Sequence, residues 1–216
     1  MSGLRATQRW ADLLVAEHLA HLVLAHDGIS ACHSRVLDCN ERMILECDRF
    51  DRVGADGRRA AVSMLAVDAQ RYGQLDSWTA AAGRLAADSL LSARDAEQIR
   101  LLDAFGALTA NNDRHFGNVT LFDGYEGMFE LAPVYDMLPM LFAPQDGQLV
   151  ARQFDPGSAR AEWLSVWAHA RALAEVYWER LAQDPRISTD FQQLCATSLK
   201  VLRTMPRRAI AGAAEP

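Results

Sequence analysis

Apolar positions recur at helical spacing through most of the chain and alternate only in short stretches. In residues 8–26, Leu13, Leu14, Val15, Leu19, Leu22, Val23 and Leu24 spread around the whole helical wheel. That segment reads as a helix covered on most sides and closed by Gly28. Residues 34–37 and 42–47 read as two strands joined by a turn at Cys39-Asn40-Glu41. Residues 54–59 are a turn-rich surface loop, and 60–75 fit no single pattern. A helix over 77–90 is capped by Asp76 or Ser77. Ser92-Ala93-Arg94-Asp95 resembles a capping box and opens a helix of about 94–110, buried through Ile99, Leu101, Leu102, Phe105 and Leu108. Residues 119–122 and 128–131 pair as a hairpin around Asp123–Gly127. Trp163, Trp167, Ala170, Ala174, Tyr177 and Leu181 give a helix of about 159–183 its core stripe. Another follows over about 187–204, and 205–216 reads as a frayed tail. The expected fold is mainly α with small β-hairpins, an α+β arrangement.

One stretch departs from this pattern. Asn111-Asn112-Asp113-Arg114-His115-Phe116-Gly117-Asn118 packs amides, an acid, a base and an imidazole between a helix and a strand. Asp113 stands five positions before Asn118, the Asp-x-x-x-x-Asn interval of protein-kinase catalytic loops. The interval alone is weak, because Asn and Asp crowd turns for ordinary reasons. Its setting adds weight: a helix leads in, a hairpin leads out, and Tyr135-Asp136 follows the hairpin. The hairpin folds the chain back towards Asn118, so one metal ion can reach both Asn118 and Asp136. Phosphoryl transfer needs a carboxylate to orient the acceptor hydroxyl and take its proton, a role Asp113 suits. It also needs oxygen ligands for magnesium, which Asn118 and Asp136 offer. His115 touches nucleotide or holds the loop by hydrogen bonds. Arg114 neutralises phosphate or pairs with a structural acid.

Composition narrows the class. The 216 residues make one large domain or two small ones. No apolar run approaches the ~20 residues of a membrane span, and Met1-Ser2-Gly3-Leu4-Arg5 begins no signal peptide. A soluble cytoplasmic protein is the default, with no membrane partner. A net charge of −6 argues against nucleic acid as the main partner. Cys32, Cys39, Cys47 and Cys195 form no C-x-x-C pair and read as buried reduced thiols. His18, His21, His26 and His33 form no H-E-x-x-H zinc signature. Of 22 basic residues only Lys200 is lysine, so no lysine precedes the polar loop.

Asn112–Asn118, followed by Leu131-Ala132-Pro133-Val134-Tyr135-Asp136-Met137-Leu138-Pro139, resembles the carboxy-terminal kinase region of the HipA family, serine/threonine kinase toxins of bacterial toxin–antitoxin systems. Arg49-Phe50-Asp51-Arg52 resembles that family's interdomain segment. The resemblance runs from about Arg9 to about residue 195. It implies a kinase-like carboxy-terminal lobe, with ATP and magnesium (Mg2+) as cofactors, Asp113 as general base, and Asn118 and Asp136 on the metal. It implies a nucleotide site formed by the hinge at Asp48, Arg49 and Phe50 together with His115, Asn118, Tyr135 and Asp136. It places a remnant of the amino-terminal lobe in 1–50, the helical lobe in 51–204 and a flexible tail in 205–216. Glu17 resembles the αC glutamate that pairs with the β3 lysine; otherwise it is a carboxylate at the stripe's edge reaching water or an Arg.

The glycine-rich nucleotide cover and the β3 lysine are absent, so the chain is expected to be incomplete and weakly active alone. Partners implied by the resemblance are a protein substrate, an aminoacyl-tRNA synthetase in related toxins, and an antitoxin or amino-terminal segment in trans. Two other readings stay open: a non-catalytic remnant or binding module, and a small-molecule phosphotransferase.

Overall fold

The computed structural model describes residues 2–40 and 42–206. Helix α1 (Ser2–His26) starts earlier than its apolar stripe. Leu13, Val15, Ala16, Leu19, Ala20, Val23 and Leu24 are all buried, as a stripe spread around the wheel requires. It stops where Gly28 takes a left-handed φ of 82°, with back-bonds from Gly28 N to Ala25 O (3.0 Å) and Ile29 N to Leu24 O (3.0 Å).

Helices α2 (Met64–Arg71), α3 (Trp78–Ala87), α4 (Ala93–Leu108), α5 (Trp167–Gln183) and α6 (Thr189–Thr204) complete the helical part among the described residues. Ser77 and Ser92 cap α3 and α4, their hydroxyls accepting from Ala80 N and Asp95 N at 3.0 Å each. Such a cap stabilises a helix by about 1 kcal/mol. Helix α4 packs between α3 and α5, and α5 packs on α1 and α6. The core gathers Phe105, Tyr177, Trp178 and Phe191, all fully buried. Trp178 Nε1 donates to Leu108 O at the end of α4 (2.9 Å), and buried Arg171 closes α6 by donating to Leu202, Met205 and Pro206 carbonyls.

The strands correct the expectation of two hairpins. Strands β1 (Ser34–Cys39) and β2 (Arg42–Cys47) pair as expected and lie on α1, although Glu41 of the turn falls outside the described residues. The 54–59 loop contains a minimal ladder, β3 (Arg52–Val53) with β4 (Gly57–Arg58). The 60–75 stretch, which fits no single pattern in the sequence, divides into β5 (Ala61–Ser63) and α2. Strand β5 joins β6 (Thr120–Asp123) and β7 (Phe129–Leu131) in a three-stranded sheet with β6 central. Three residues are too few to show alternation, so β5 left no pattern to read.

Two further expectations change. The 159–183 helix begins only at Trp167, because Arg160 is extended (ψ 149°) and Trp163 sits on a separate 3-10 turn. Trp163 stacks on Trp167 with ring centroids 6.1 Å apart, so its burial is not evidence of one continuous helix. The cysteines are all free thiols, but only Cys32 and Cys195 are buried; Cys39 and Cys47 are exposed on a two-stranded hairpin that α1 covers on one face only. Trp10 on α1 and Ile44 on β2 also stand exposed at 43% and 44%, apolar surface near Glu17 and the hairpin. Of the expected tail, 207–216 lie outside the described residues.

Candidate functional site

The loop after α4 is shaped by its own side chains. Ala110 takes a left-handed φ of 58°, which turns the chain sharply out of the helix. Asn111, 1% exposed, accepts from Asp113 N through Oδ1 (3.0 Å), an Asx turn. Its Nδ2 donates to the Asp136 carbonyl at 3.2 Å, so one buried amide links both acidic segments. Arg114 donates from Nε to Asp103 Oδ1 (3.1 Å) and from its terminal nitrogen to the Asn111 carbonyl. It therefore pairs with a structural acid. Asp103, 3% exposed on α4, also accepts from Thr79 Oγ1 (2.9 Å) and Trp163 Nε1 (3.2 Å). Trp78 Nε1 donates to His115 O at 3.0 Å, and His115 Nδ1 accepts from Gly117 N at 3.0 Å.

Asn118 and Asp136 meet. Asn118 Nδ2 donates to Asp113 O (3.0 Å) and to Asp136 Oδ2. Asp136 adopts φ 57°, a left-handed conformation an L-residue keeps only when its surroundings hold it. Here its N–H donates to Glu17 Oε1 at 3.0 Å while its carbonyl accepts from Asn111. Tyr135 OH donates to Gly117 O at 2.9 Å and lies 2.8 Å from Thr120 Oγ1. Phe50 packs on Tyr135 and Phe122, ring centroids 5.8 Å away in each case. Asp48 and Arg49 send their side chains elsewhere, to His33 (2.9 Å) and Asp51 (2.7 Å) on the surface. Of their backbone, Asp48 N donates to His33 O (2.9 Å) and Arg49 O accepts from Arg52 N (3.1 Å).

Burial pushes the Asp136 carboxyl above its usual range, and the Asp113 charge adds to this; His115 and Asn118 act the other way. A cation at Asp136 would relieve both costs. A carboxylate and an amide suit a hard ion that keeps waters and takes further oxygens from phosphates. Rotation of the Asn118 amide would present Oδ1 in place of the nitrogen now bonded to Asp136. The donor chemistry thus fits magnesium, which Asn118 and Asp136 would hold together with phosphate oxygens and waters.

Glu17, its side chain 14% exposed, pairs with no Arg among the described residues. Its carboxyl bonds the Asp136 amide and lies 3.7 Å from His21 Nε2. Burial, aided by the Asp136 charge and opposed by that amide hydrogen bond, pushes it up to about 7; burial, then His18, pushes His21 down to about 4. A raised acid stabilises the fold below its unfolded value of 4.5 and loses that contribution as pH rises through 7. A depressed histidine contributes fully above 6.5 and loses it as pH falls through 4. Each effect is on the order of 3 kcal/mol, and between pH 4.5 and 6.5 they offset. Glu17→Gln leaves only the histidine, so stability should fall with acid across that window while the parent's stays flat. Urea midpoints measured along the pH series check this; parallel slopes for the two proteins would refute it.

Two cavities flank the loop. One of about 300 Å³ is lined by Asp113, Asn112, Arg114, His115 and Trp78. The other, about 460 Å³, lies against Asn111, Asn112, Arg114, Leu141 and Arg160. Asp113 and His115 side chains are 47% and 58% exposed, with Asp113 Oδ1 4.0 Å from His115 Nε2. A carboxylate this accessible, held through its backbone rather than its side chain, can accept a proton from a bound hydroxyl.

Sequence reasoning named Asp113, Asn118, Asp136, Tyr135, His115 and Phe50, which gather in one region. It missed Asn111 as the clamp and Asp103 as the anchor. An Asx-turn reading of Asn111 had the signal for the first. For the second, the signal was an acid between Leu102 and Ala104 on a buried helix.

Comparison with known proteins bears on the family and the fold. The sequence model of the HipA-like C-terminal domain matches residues 4–205. The chain is 36% identical over 208 residues to "Toxin YjjJ" of Escherichia coli (strain K12), covering 94% of this chain and 46% of that protein. It thus spans about half the length of the curated relative it matches. Two solved structures share the fold. The Helicobacter pylori proinflammatory kinase CtkA superposes with a TM-score of 0.60 at 12% identity, over 89% of this chain and 80% of that one. HipA of Shewanella oneidensis MR-1, solved with HipB and its operator DNA, superposes with a TM-score of 0.58 at 18% identity, over 88% and 54% respectively. Among the described residues no helix is long and apolar enough to cross a membrane. With a kinase-like α+β fold and a family match running nearly end to end, the chain belongs to the HipA-like C-terminal domain family.

Proposed function

We propose that this chain is the carboxy-terminal, magnesium-holding lobe of an ATP-dependent protein serine/threonine kinase of the HipA toxin type. The observation that carries the reading is the meeting of Asn118 and Asp136 beside Asp113, with Asp136 locked in a left-handed backbone by Glu17 and Asn111. Asp113 orients the acceptor hydroxyl and takes its proton. Asn118 and Asp136 hold the metal. Magnesium held there would supply positive charge against the charge that develops on the transferring phosphoryl group. The Asp48–Phe50 backbone receives the adenine, with His115 and Tyr135 lining the nucleotide site.

Residues 1–50 act as an αC-like helix, hairpin and hinge, and 51–204 as the helical lobe. With no lysine before Lys200, the phosphate-binding lysine has to come from elsewhere. A segment outside residues 1–216 supplies it, and the exposed Trp10 and Ile44 offer it apolar surface. The relative named a toxin and the HipA–HipB structure support an antitoxin partner and a cytoplasmic setting. The acceptor is a protein.

The test uses γ-labelled ATP with residues 1–216, alone and mixed with the amino-terminal half of a family member. Negligible label should transfer without the added half, and label should appear on protein with it. Robust autophosphorylation by the chain alone would overturn the division of labour. Label found on a small molecule would overturn the acceptor class.

A further inference from the structure

The hairpin beside the site carries a thiol pair that the proposed kinase chemistry does not use. Cys47 sits opposite Ser34 in the β1–β2 register, so its side chain shares the Ser34 face of the ladder. The pairing continues one step further through Asp48 N to His33 O (2.9 Å). Cys32, two positions before Ser34, therefore falls on the same face, diagonal to Cys47. Its Sγ lies 3.5 Å from Asp48 O and 3.6 Å from His33 O, within the strand gap. Each thiol is among the groups that perturb the other. Cys39 is at the far end of the hairpin opposite Arg42, and Cys195 is fully buried on α6. Neither competes with that pairing.

We propose that Cys47 and Cys32 form a thiol–disulfide exchange site: Cys47 takes up a low-molecular-weight disulfide of the glutathione type, and Cys32 resolves the adduct to an intramolecular Cys32–Cys47 bond. The asymmetry of the pair sets the order. Cys47 is exposed and reachable, whereas Cys32 is 5% exposed and shielded from a bulky reagent. In the first step the Cys47 sulfur displaces one half of the reagent, releasing one small thiol. In the second the Cys32 sulfur attacks Cys47 and releases the other. The protein gives up two protons and two electrons, and one reagent disulfide becomes two thiols.

Loss of hydration holds both sulfurs largely protonated; Cys47 is pushed up to about 12, and Cys32 is raised less because Cys47 hydrogen-bonds to it. Exchange is therefore slow at neutral pH and faster in alkali, since the thiolate is the nucleophile. The bond needs the two Cβ atoms to close to about 4 Å. A two-stranded hairpin packed on α1 through one face and open on the other can make that adjustment.

The location gives the bond a consequence. Cys32 N donates to Val134 O at 2.8 Å, two residues before Asp136, and Cys47 immediately precedes the Asp48–Phe50 connector. A bridge between them ties the connector to the backbone that leads to Asp136.

Residues 1–216 are incubated with oxidised glutathione at mildly alkaline pH, blocked with N-ethylmaleimide, and followed by intact mass and peptide mapping. The parent should lose two hydrogens, mapped to Cys32–Cys47, and melt at a higher temperature than its reduced form, because the cross-link restricts the unfolded chain. Cys32→Ser, with Cys32→Ala as the second variant at this buried position, should stop at one glutathionyl group on Cys47. Cys47→Ser should leave Cys32 unmodified. A bond to Cys39, a stable glutathionyl adduct on Cys47 of the parent, or full alkylation of Cys32 and Cys47 would each overturn the proposal.

Discussion

Asp113→Asn should lower phosphoryl transfer by about 10²–10⁴-fold in the enzyme reconstituted with an amino-terminal segment, while leaving the melting temperature and nucleotide affinity close to the parent's. The geometry explains why the two effects separate. Asp113 is held by its backbone: its N–H donates to Asn111 and its carbonyl accepts from Asn118. Its carboxylate is nearly half exposed and has His115 Nε2 at 4.0 Å. Converting it to an amide removes a proton acceptor without removing a structural bond. Steady-state kinetics beside a thermal melt measure both. Retained turnover would remove Asp113 from the general-base role, and a collapsed melt would make it a structural residue.

Asp103→Ala should do the reverse, destabilising the fold by about 3–5 kcal/mol, because removing one partner leaves the other charge buried and unpaired. Asp103 bonds Arg114 on the loop, Thr79 on α3 and Trp163 on the 3-10 turn before α5. Three elements thus lose a common acceptor, and the Arg114 guanidinium, 19% exposed, keeps only the Asn111 carbonyl. For a chain of this size the melting temperature should drop by roughly 10 °C. Asp103→Asn, which keeps the volume and one acceptor oxygen, should cost less. Equal melts for the alanine variant and the parent would mean that the loop is anchored elsewhere.

Local signals reported local structure faithfully. The Ser92 and Ser77 caps lie where the sequence places them, and α4 delivers the polar loop from a buried helix. The β6–β7 hairpin returns Asp136 to Asn118 as the turn chemistry implies. What escaped depends on partners distant in sequence. The pairing of β5 with β6 joins residues about sixty positions apart, and no periodicity in three residues encodes it. The break before Trp167 was hidden because Trp163 keeps helical spacing while it is buried for another reason, its bond to Asp103. The left-handed Asp136 has no signature of its own; it exists because Glu17, 119 residues earlier, accepts its N–H. Glu17 was legible as a carboxylate in need of a partner, but that partner is a backbone amide, which sequence does not display.

Calorimetric titration of a non-hydrolysable ATP analogue into residues 1–216, with saturating magnesium and again with chelator, tests the central claim most directly, with Asp136→Asn run beside the parent. The account predicts weak binding that requires magnesium and falls at least about tenfold in the variant, the loss expected when one charge-assisted contact is removed. Binding of equal strength with and without the metal, or unchanged in Asp136→Asn, would contradict it. So would no binding at millimolar analogue.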